Sequence, residues 1–235
     1  MPMKGASECT MGSAMSEHPL KFDAHGLIPV VVVDYLTGEV RMQAFANQEA
    51  IARTLQSGKA TFFSRSRAEL WEKGQTSGNA IRVLYVLVDC DGDALLYVSD
   101  PSGNSCHTGA RTCFYRAFGR PGAQPLVEDD APPQTVLVSL EQVLEARKSS
   151  TGESSYTKSL YDGAPATIGA KLREEGAELA HALDGETDER VISEAADVLY
   201  HLMVGLRWRS IPLRRVMGEL ARRMGKSGHA EKSAR

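Results

Sequence analysis

"GRPGAQPLVEDDAPPQ", residues 119–134, packs four prolines, two glycines and an acidic patch into one short stretch. No helix or sheet ladder persists through so many missing amide donors and unrestrained glycines, so the stretch reads as a linker. It separates two parts of a 235-residue chain that are written in different patterns. The expected architecture is an α+β N-terminal domain over 21–118, built on a mixed, mainly antiparallel sheet, followed by an all-α helical bundle over 135–226.

Upstream of the linker the pattern is strand and turn. "LIPVVVVDYLTGEVRMQAF" is an apolar run, a Thr37-Gly38 turn and a second run, which predicts a hairpin. "NQEAIARTLQSGK" has a helix start at Asn47, apolar Ala50, Ile51 and Leu55 on one side, and a stop at Gly58. "ATFFSRS", "AIRVLYVLVDCD", "DALLYVS" and "RTCFYRAF" are rich in β-branched and aromatic residues and predict strands, with "EKGQTSGN" as a turn.

Downstream the period changes to that of helices. "VSLEQVLEARKSS" is one, with Ser139 as its expected cap. "APATIGAKLREEGAELAHALDG" is a second, ending at Gly185. "DERVISEAADVLYHLMVGLRWRS" is a third, with Val191, Ala195, Val198, Leu199 and Leu202 expected on the buried face, and Pro212 opens a fourth.

Composition narrows the function classes. Apolar content of 42%, charged content of 24% and a net charge of -3 fit an ordinary globular protein and give no electrostatic support to nucleic-acid binding. The longest apolar run, "LIPVVVV", is too short to span a bilayer, so no membrane role is expected. Residues 1–20 lack the apolar centre of a secretion signal and read as a disordered leader; 227–235 read as a flexible, solvated tail. A cytoplasmic location follows, where cysteines stay reduced. Cys9 falls in the leader, whereas Cys90, Cys106 and Cys113 cluster, which suggests metal binding over a disulfide.

Those three thiols sit in "VDCDGDALLYVSDPSGNSCHTGARTC", Val88–Cys113, interleaved with aspartates. If the strand continues past Val88, Asp89, Asp91 and Asp93 share one face and Cys90 takes the other; a turn beginning at Gly92 would break that alternation at Asp93. Three carboxylates suit Mg²⁺. Three thiolates suit Zn²⁺ and leave its fourth position open, as in a catalytic site, unless His107 closes the site structurally. Two metals, separated by ligand softness, are therefore expected. In the helical half, "KLREEGAELA" brings Glu174, Glu175 and Glu178 close on one helix, and "SEAADVLYH" places Glu194 and Asp197 at i, i+3 on the next. Carboxylates presented inward by two antiparallel helices call for cations such as Mg²⁺ carrying a pyrophosphate. Asp197 argues most strongly against a plain solvated face, because it interrupts the apolar run "AADVLYHLMV".

With these residues in view, two resemblances emerge. "SRSRAELWEKGQTSGN", "DCDGD" and "SCHTGARTCFYR" resemble the signature segments of phosphoribosyl-AMP cyclohydrolase, over roughly 22–118. The resemblance implies a homodimer whose zinc is held by Cys90, Cys106 and Cys113, with ligands drawn from both subunits, and magnesium on Asp89, Asp91 and Asp93. Zinc with an open position lowers the pKa of its water to about 7, which suits addition at C6 of an N1-alkylated adenine and opening of the N1–C6 bond. His107 is the expected proton shuttle. Arg65, Arg67, Lys73, Thr76, Ser77, Gly78 and Arg111 are expected to meet the ribose phosphates, and Trp71 to stack on the base.

"SYTKSL", "KLREEGAELAHAL" and "VISEAADVLYHLMVGL" resemble phosphoribosyl-ATP pyrophosphatase, an all-α nucleotide pyrophosphohydrolase, over about 135–225. That implies Mg²⁺ on Glu174, Glu175, Glu178, Glu194 and Asp197, with Lys171 toward the phosphates. Together the two imply a fused enzyme of histidine biosynthesis acting on small phosphoribosyl nucleotides. The rivals are a house-cleaning nucleotide pyrophosphatase with a non-catalytic zinc domain, and a zinc-dependent interaction module.

Overall fold

The computed structural model describes residues 19–101, 103–118, 134–149, 155–163 and 165–224. The expected leader up to residue 18 with its Cys9, the linker up to residue 133 and the tail lie outside the described residues. The chain divides into two compact units, the described parts of 1–32 with 43–102, and those of 33–42 with 103–235.

Six strands form one sheet: β1 (Ile28–Asp34), β2 (Val40–Ala46), β3 (Thr61–Ser64), β4 (Glu69–Glu72), β5 (Ile81–Val88) and β6 (Leu95–Pro101), in the order β4-β3-β2-β1-β6-β5. The pairs β2–β3, β3–β4 and β5–β6 are antiparallel. β1 and β6 alternate strictly, burying Ile28, Val30, Val32, Leu95 and Tyr97 on one face. Helix α1 (Gln48–Ser57) packs against β3. Asn47 caps it by accepting from the Ala50 amide at 2.8 Å, and Gly58 ends it in the left-handed region at φ +70°. Thr54, not Leu55, is the residue α1 buries here: its hydroxyl donates to the Ala50 carbonyl and accepts from the Thr61 amide, while Leu55 is exposed. Helical spacing allowed either, and the bond to β3 decided it. Phe62 stacks on Tyr97 at 5.8 Å and meets Trp71 at 4.9 Å, and these rings fill the centre of the unit.

Two strand expectations change. β4 was not foreseen; it pairs Phe62 with Trp71 and Phe63 with Leu70 after a turn in which Ala68 takes φ +51°. "RTCFYRAF" is no strand but a run of bends. Its Cys113 amide bonds the Arg41 carbonyl and its Phe114 amide the Thr112 hydroxyl instead.

In the second unit, α2 (Val136–Ser149), α3 (Tyr156–Asp162), α4 (Ala166–Leu183), α5 (Asp188–Trp208) and α6 (Leu213–Arg223) follow one another. Leu144, Leu160, Tyr161, Ile168, Met203 and Val204 form their core. Ser139 does not cap α2: its amide donates to the Thr135 carbonyl, so the helix already runs through it. α3 was not foreseen; Ser155 caps it through the Lys158 amide. The buried face of α5 also departs from expectation. Glu194, His201, Met203 and Val204 are buried, Val191, Ala195, Val198 and Leu202 only partly so, and Leu199 is exposed. The stripe facing the neighbouring helices contains a carboxylate and an imidazole, which a search for apolar residues passes over.

Candidate active sites

The three aspartates of the first unit do gather, but not by strand alternation. β5 stops at Val88, and residues 89–94 form the loop into β6. Asp89 organises this loop: its Oδ1 accepts the amides of Gly92, Asp93 and Ala94 at 3.0, 3.0 and 3.1 Å. Gly92 turns the chain at φ +83°, where an added Cβ would lie 2.7 Å from the Pro19 carbonyl. The result places oxygens of Asp89, Asp91 and Asp93 within 4.8 Å of one another, all exposed. Backbone donors, the Ala94 amide above all, hold the Asp89 carboxyl below its ordinary range. The hydrogen bond with Asp89 and the charge of Asp91 push Asp93 up. A concentration of negative charge on exposed, hard oxygen donors fits a magnesium-type cation. Cys90 lies in the same loop and is exposed.

Cys106 and Cys113 belong to the other unit, at the two ends of a tight loop. The Cys106 amide donates to the Ala110 carbonyl and the Ser105 amide to Arg111, closing a turn in which Gly109 returns a bond to the Cys106 carbonyl. The Thr108 hydroxyl donates to the Cys106 sulfur at 3.1 Å, and His107 Nδ1 lies 3.9 Å from it. Burial pushes the Cys106 thiol up, but Thr108, the Cys113 side chain and the His107 amide together pull it below its usual value. Such donors stabilise a thiolate, the form that binds metal. Among the described residues, no set of three or more ligand atoms within 4.8 Å includes a cysteine.

A buried charge network underlies this loop and was not foreseen. Arg41, on β2, is 4% exposed; its Nε donates to Ser105 Oγ at 3.1 Å and its Nη2 to the Gly103 carbonyl at 2.6 Å. The Arg41 carbonyl accepts the Cys113 amide, and Thr112 donates to the Val40 carbonyl. Glu39 and Asp34, both buried, balance Arg41 at 3.4 and 3.7 Å. Glu39 also holds Arg111 at 2.7 Å, and Arg214 of α6 reaches both oxygens of Asp34. Arg111, expected at substrate phosphates, is thus already engaged with Glu39. An arginine inside "VRMQAF" reads as a surface residue, and no sequence signal marks it as buried.

The remaining residues named for the first site are distributed around β3, β4 and the following turn. Arg65 lies 4.0 Å over the Phe45 ring, and Arg67 pairs with Glu69 at 2.7 Å. Trp71 packs on Phe62 and lines an open cleft of about 390 Å³ with Arg53, Gln56 and Gln75. Lys73 is buried and donates to the Asn79 carbonyl. Thr76, Ser77 and Gly78 form an exposed turn, locked by Gly74, whose absent Cβ would fall 2.4 Å from the Ala80 nitrogen.

In the helical unit, α4 and α5 bring Glu175, Glu194 and Asp197 together within 4.8 Å. Here the buried members are Glu175 and Glu194, whereas Asp197, expected to be the costly one, is exposed. Burial, with the charges of Glu178 and Asp197, pushes the Glu194 carboxyl up against the pull of Arg190 at 2.7 Å. Glu178 hydrogen-bonds to Glu194 and so borders the group. Glu174 stands outside it, paired with Lys171 at 3.0 Å; Lys171 also lies 3.7 Å from Glu175. Buried carboxylates held this close repel one another, and a divalent cation relieves that cost.

Comparison with known proteins matches two families in succession along the chain. The phosphoribosyl-AMP cyclohydrolase family matches residues 42–115, and the phosphoribosyl-ATP pyrophosphohydrolase family matches residues 137–224. The histidine biosynthesis bifunctional protein of Aquifex aeolicus is 44% identical over 206 residues, 87% of this chain and 98% of that protein. Its counterpart in Wolinella succinogenes is 38% identical over 220 residues, covering 92% and 96%. The chloroplastic counterpart of Arabidopsis thaliana is 42% identical over 226 residues, covering 92% and 79%.

Proposed function

Because the chain belongs to the bifunctional histidine-biosynthesis family that joins a phosphoribosyl-AMP cyclohydrolase to a phosphoribosyl-ATP pyrophosphohydrolase, we propose a specific residue assignment for its two hydrolytic steps. The chain is a bifunctional hydrolase. It splits phosphoribosyl-ATP to phosphoribosyl-AMP and pyrophosphate, then opens the adenine ring of phosphoribosyl-AMP at N1–C6. The first step belongs to 135–226, the second to 21–118. The observation that carries the assignment is that each matched segment contains its own gathering of three carboxylates.

For ring opening, Cys106 and Cys113 hold zinc together with Cys90, and Asp89, Asp91 and Asp93 hold magnesium. A homodimer completes the zinc site with the partner subunit's Cys90. For pyrophosphohydrolysis, Glu175, Glu194 and Asp197, with Glu178 and Glu174 beside them, hold magnesium. When bound, zinc supplies a water nucleophile at neutral pH, and magnesium neutralises the phosphate chain under attack. His107, exposed next to Cys106, moves the proton between water and the ring nitrogen. Arg65, Arg67, Lys73 and the Thr76–Ser77–Gly78 turn bind the ribose phosphates, Arg111 joins them with guanidinium donors other than the Nε it gives to Glu39, and Trp71 orients the base. Lys171, tethered between Glu174 and Glu175, meets the phosphate chain of the substrate. The thiol ligands require a reducing compartment, and the cytoplasm is the one assigned. No described helix is long and apolar enough to cross a membrane.

Elemental analysis of purified protein, combined with separate assays on the two nucleotides, tests the assignment. Stoichiometric zinc that is lost in Cys106→Ser along with ring opening is the expected result. Full ring opening by zinc-free protein would overturn it, and would leave the three cysteines as bystanders.

A further inference from the structure

Behind the helical carboxylates lies a buried imidazole that neither sequence motif assigned. His201 is 3% exposed and sits one helical turn after Asp197 on α5. Its Nδ1 lies 2.9 Å from the Asp197 carbonyl oxygen and 3.8 Å from Glu175 Oε1 on α4. A carbonyl oxygen can only accept, so the ring hydrogen is on Nδ1. That leaves Nε2 as an acceptor, and Tyr156 Oη lies 2.9 Å from it, donating from the first turn of α3. Tyr156 and Tyr200 both meet the imidazole edge-on, at 87° and 88°, and stack on each other at 6.5 Å. Tyr200 is itself fixed through its hydroxyl to Thr157, which also accepts from Arg147 of α2.

One imidazole therefore ties α3, α4 and α5 together behind the carboxylate cluster. Resting on the assignment of Glu175, Glu194 and Asp197 to a divalent cation, we propose that His201 is a positioning residue for that site and that Tyr156 sets its orientation. The physical reason is the ring's own ambiguity. The accept-only Asp197 carbonyl fixes the tautomer, but the ring can still flip about Cβ–Cγ, which would put a carbon where Nδ1 faces that carbonyl and Glu175. The Tyr156 hydroxyl opposes the flip, because the flip would carry Nε2 away from its donor and leave it buried without a partner. Groups that orient a metal's carboxylate ligands from behind change affinity by about 10–100-fold when removed. The hydroxyl of Tyr156 is thus a determinant of cation binding, although Tyr156 is itself 53% exposed and carries no charge.

The test is calorimetric titration of the full metal-free chain with Mn²⁺, which reads binding without turnover. The relevant component is the one that Glu175→Gln removes, which separates it from binding elsewhere on the chain. Tyr156→Phe deletes one oxygen from a half-exposed ring and leaves the packing intact; His201→Asn retains the donor toward Asp197 but cannot reach Tyr156. Each is expected to weaken the Glu175-dependent component about tenfold. The double variant should weaken it no more than twofold beyond either single one, because both break the same link. If Glu175→Gln removes the component while Tyr156→Phe leaves it within twofold, the positioning role is overturned and the cation assignment stands. Full additivity in the double variant also overturns the pairing. If Glu175→Gln leaves the isotherm unchanged, the cation assignment itself falls.

Discussion

Arg41 Nε donates to Ser105 Oγ at 3.1 Å, so a buried guanidinium on β2 supports the residue that immediately precedes Cys106. The same side chain bonds the Gly103 carbonyl, and its backbone carbonyl receives the Cys113 amide. Both cysteine-bearing ends of the loop are therefore referred to one residue of the hairpin.

Arg41→Leu fills the space but removes a fork of donors and leaves Asp34 and Glu39 with one cation fewer. Orphaning one partner of a buried pair costs about 3–5 kcal/mol. Arg214 and Arg111 still face these carboxylates, so the expected loss is smaller, about 1–3 kcal/mol. Urea denaturation measures it. Ring opening of phosphoribosyl-AMP should fall at least tenfold in the same variant, while hydrolysis of phosphoribosyl-ATP stays within twofold; a variant with unchanged ring opening would show that the loop holds its shape without Arg41.

Asp89 has two separable jobs, charge and loop geometry. Asp89→Asn keeps an oxygen for the Gly92, Asp93 and Ala94 amides and loses only charge, whereas Asp89→Ala loses both. The alanine variant should therefore melt at a lower temperature than the asparagine variant, and both should bind Mg²⁺ more weakly. Differential scanning calorimetry with and without Mg²⁺ distinguishes the two contributions; equal melting of the two variants would remove the structural role.

These examples mark what the sequence discloses. Asn47 and Gly58 were legible as helix ends, and the Thr37-Gly38 turn as a hairpin tip, because caps and turns are set by local chemistry. The gathering of Asp89, Asp91 and Asp93, and of Glu175, Glu194 and Asp197, was legible for a similar reason: spacing constrains which side chains can meet. How the aspartates meet was not, since their convergence comes from Asx-type bonds in a loop and not from strand alternation. Arg41, His201 and the burial of Glu194 in place of Asp197 were illegible because they depend on residues far away in the chain. α3 was missed because a seven-residue helix carries too few turns for periodicity to register.

Tyr161 supplies a pH dependence. Burial against the α2–α5 core, with the charges of Tyr200 and Glu145, raises its pKa from 10.0 to about 12. A proton held more tightly in the folded state stabilises that state fully below pH 10, and the contribution is lost as pH rises from about 10 through about 12. Chemical denaturation of wild type and Tyr161→Phe across pH 8–12 checks this. The wild type should lose stability faster than the variant over that range, and the late-ionising part of the phenolate absorbance should be smaller by one tyrosine in the variant. Parallel curves would contradict it.

If the two hydrolytic steps run at separate sites, a change at one leaves the other reaction untouched. The most direct measurement follows pyrophosphate release from phosphoribosyl-ATP and ring-opening absorbance from phosphoribosyl-AMP in Glu194→Gln. The account predicts that pyrophosphate release drops by about a hundredfold or more while ring opening continues at the wild-type rate. Loss of both reactions, or of neither, would contradict it.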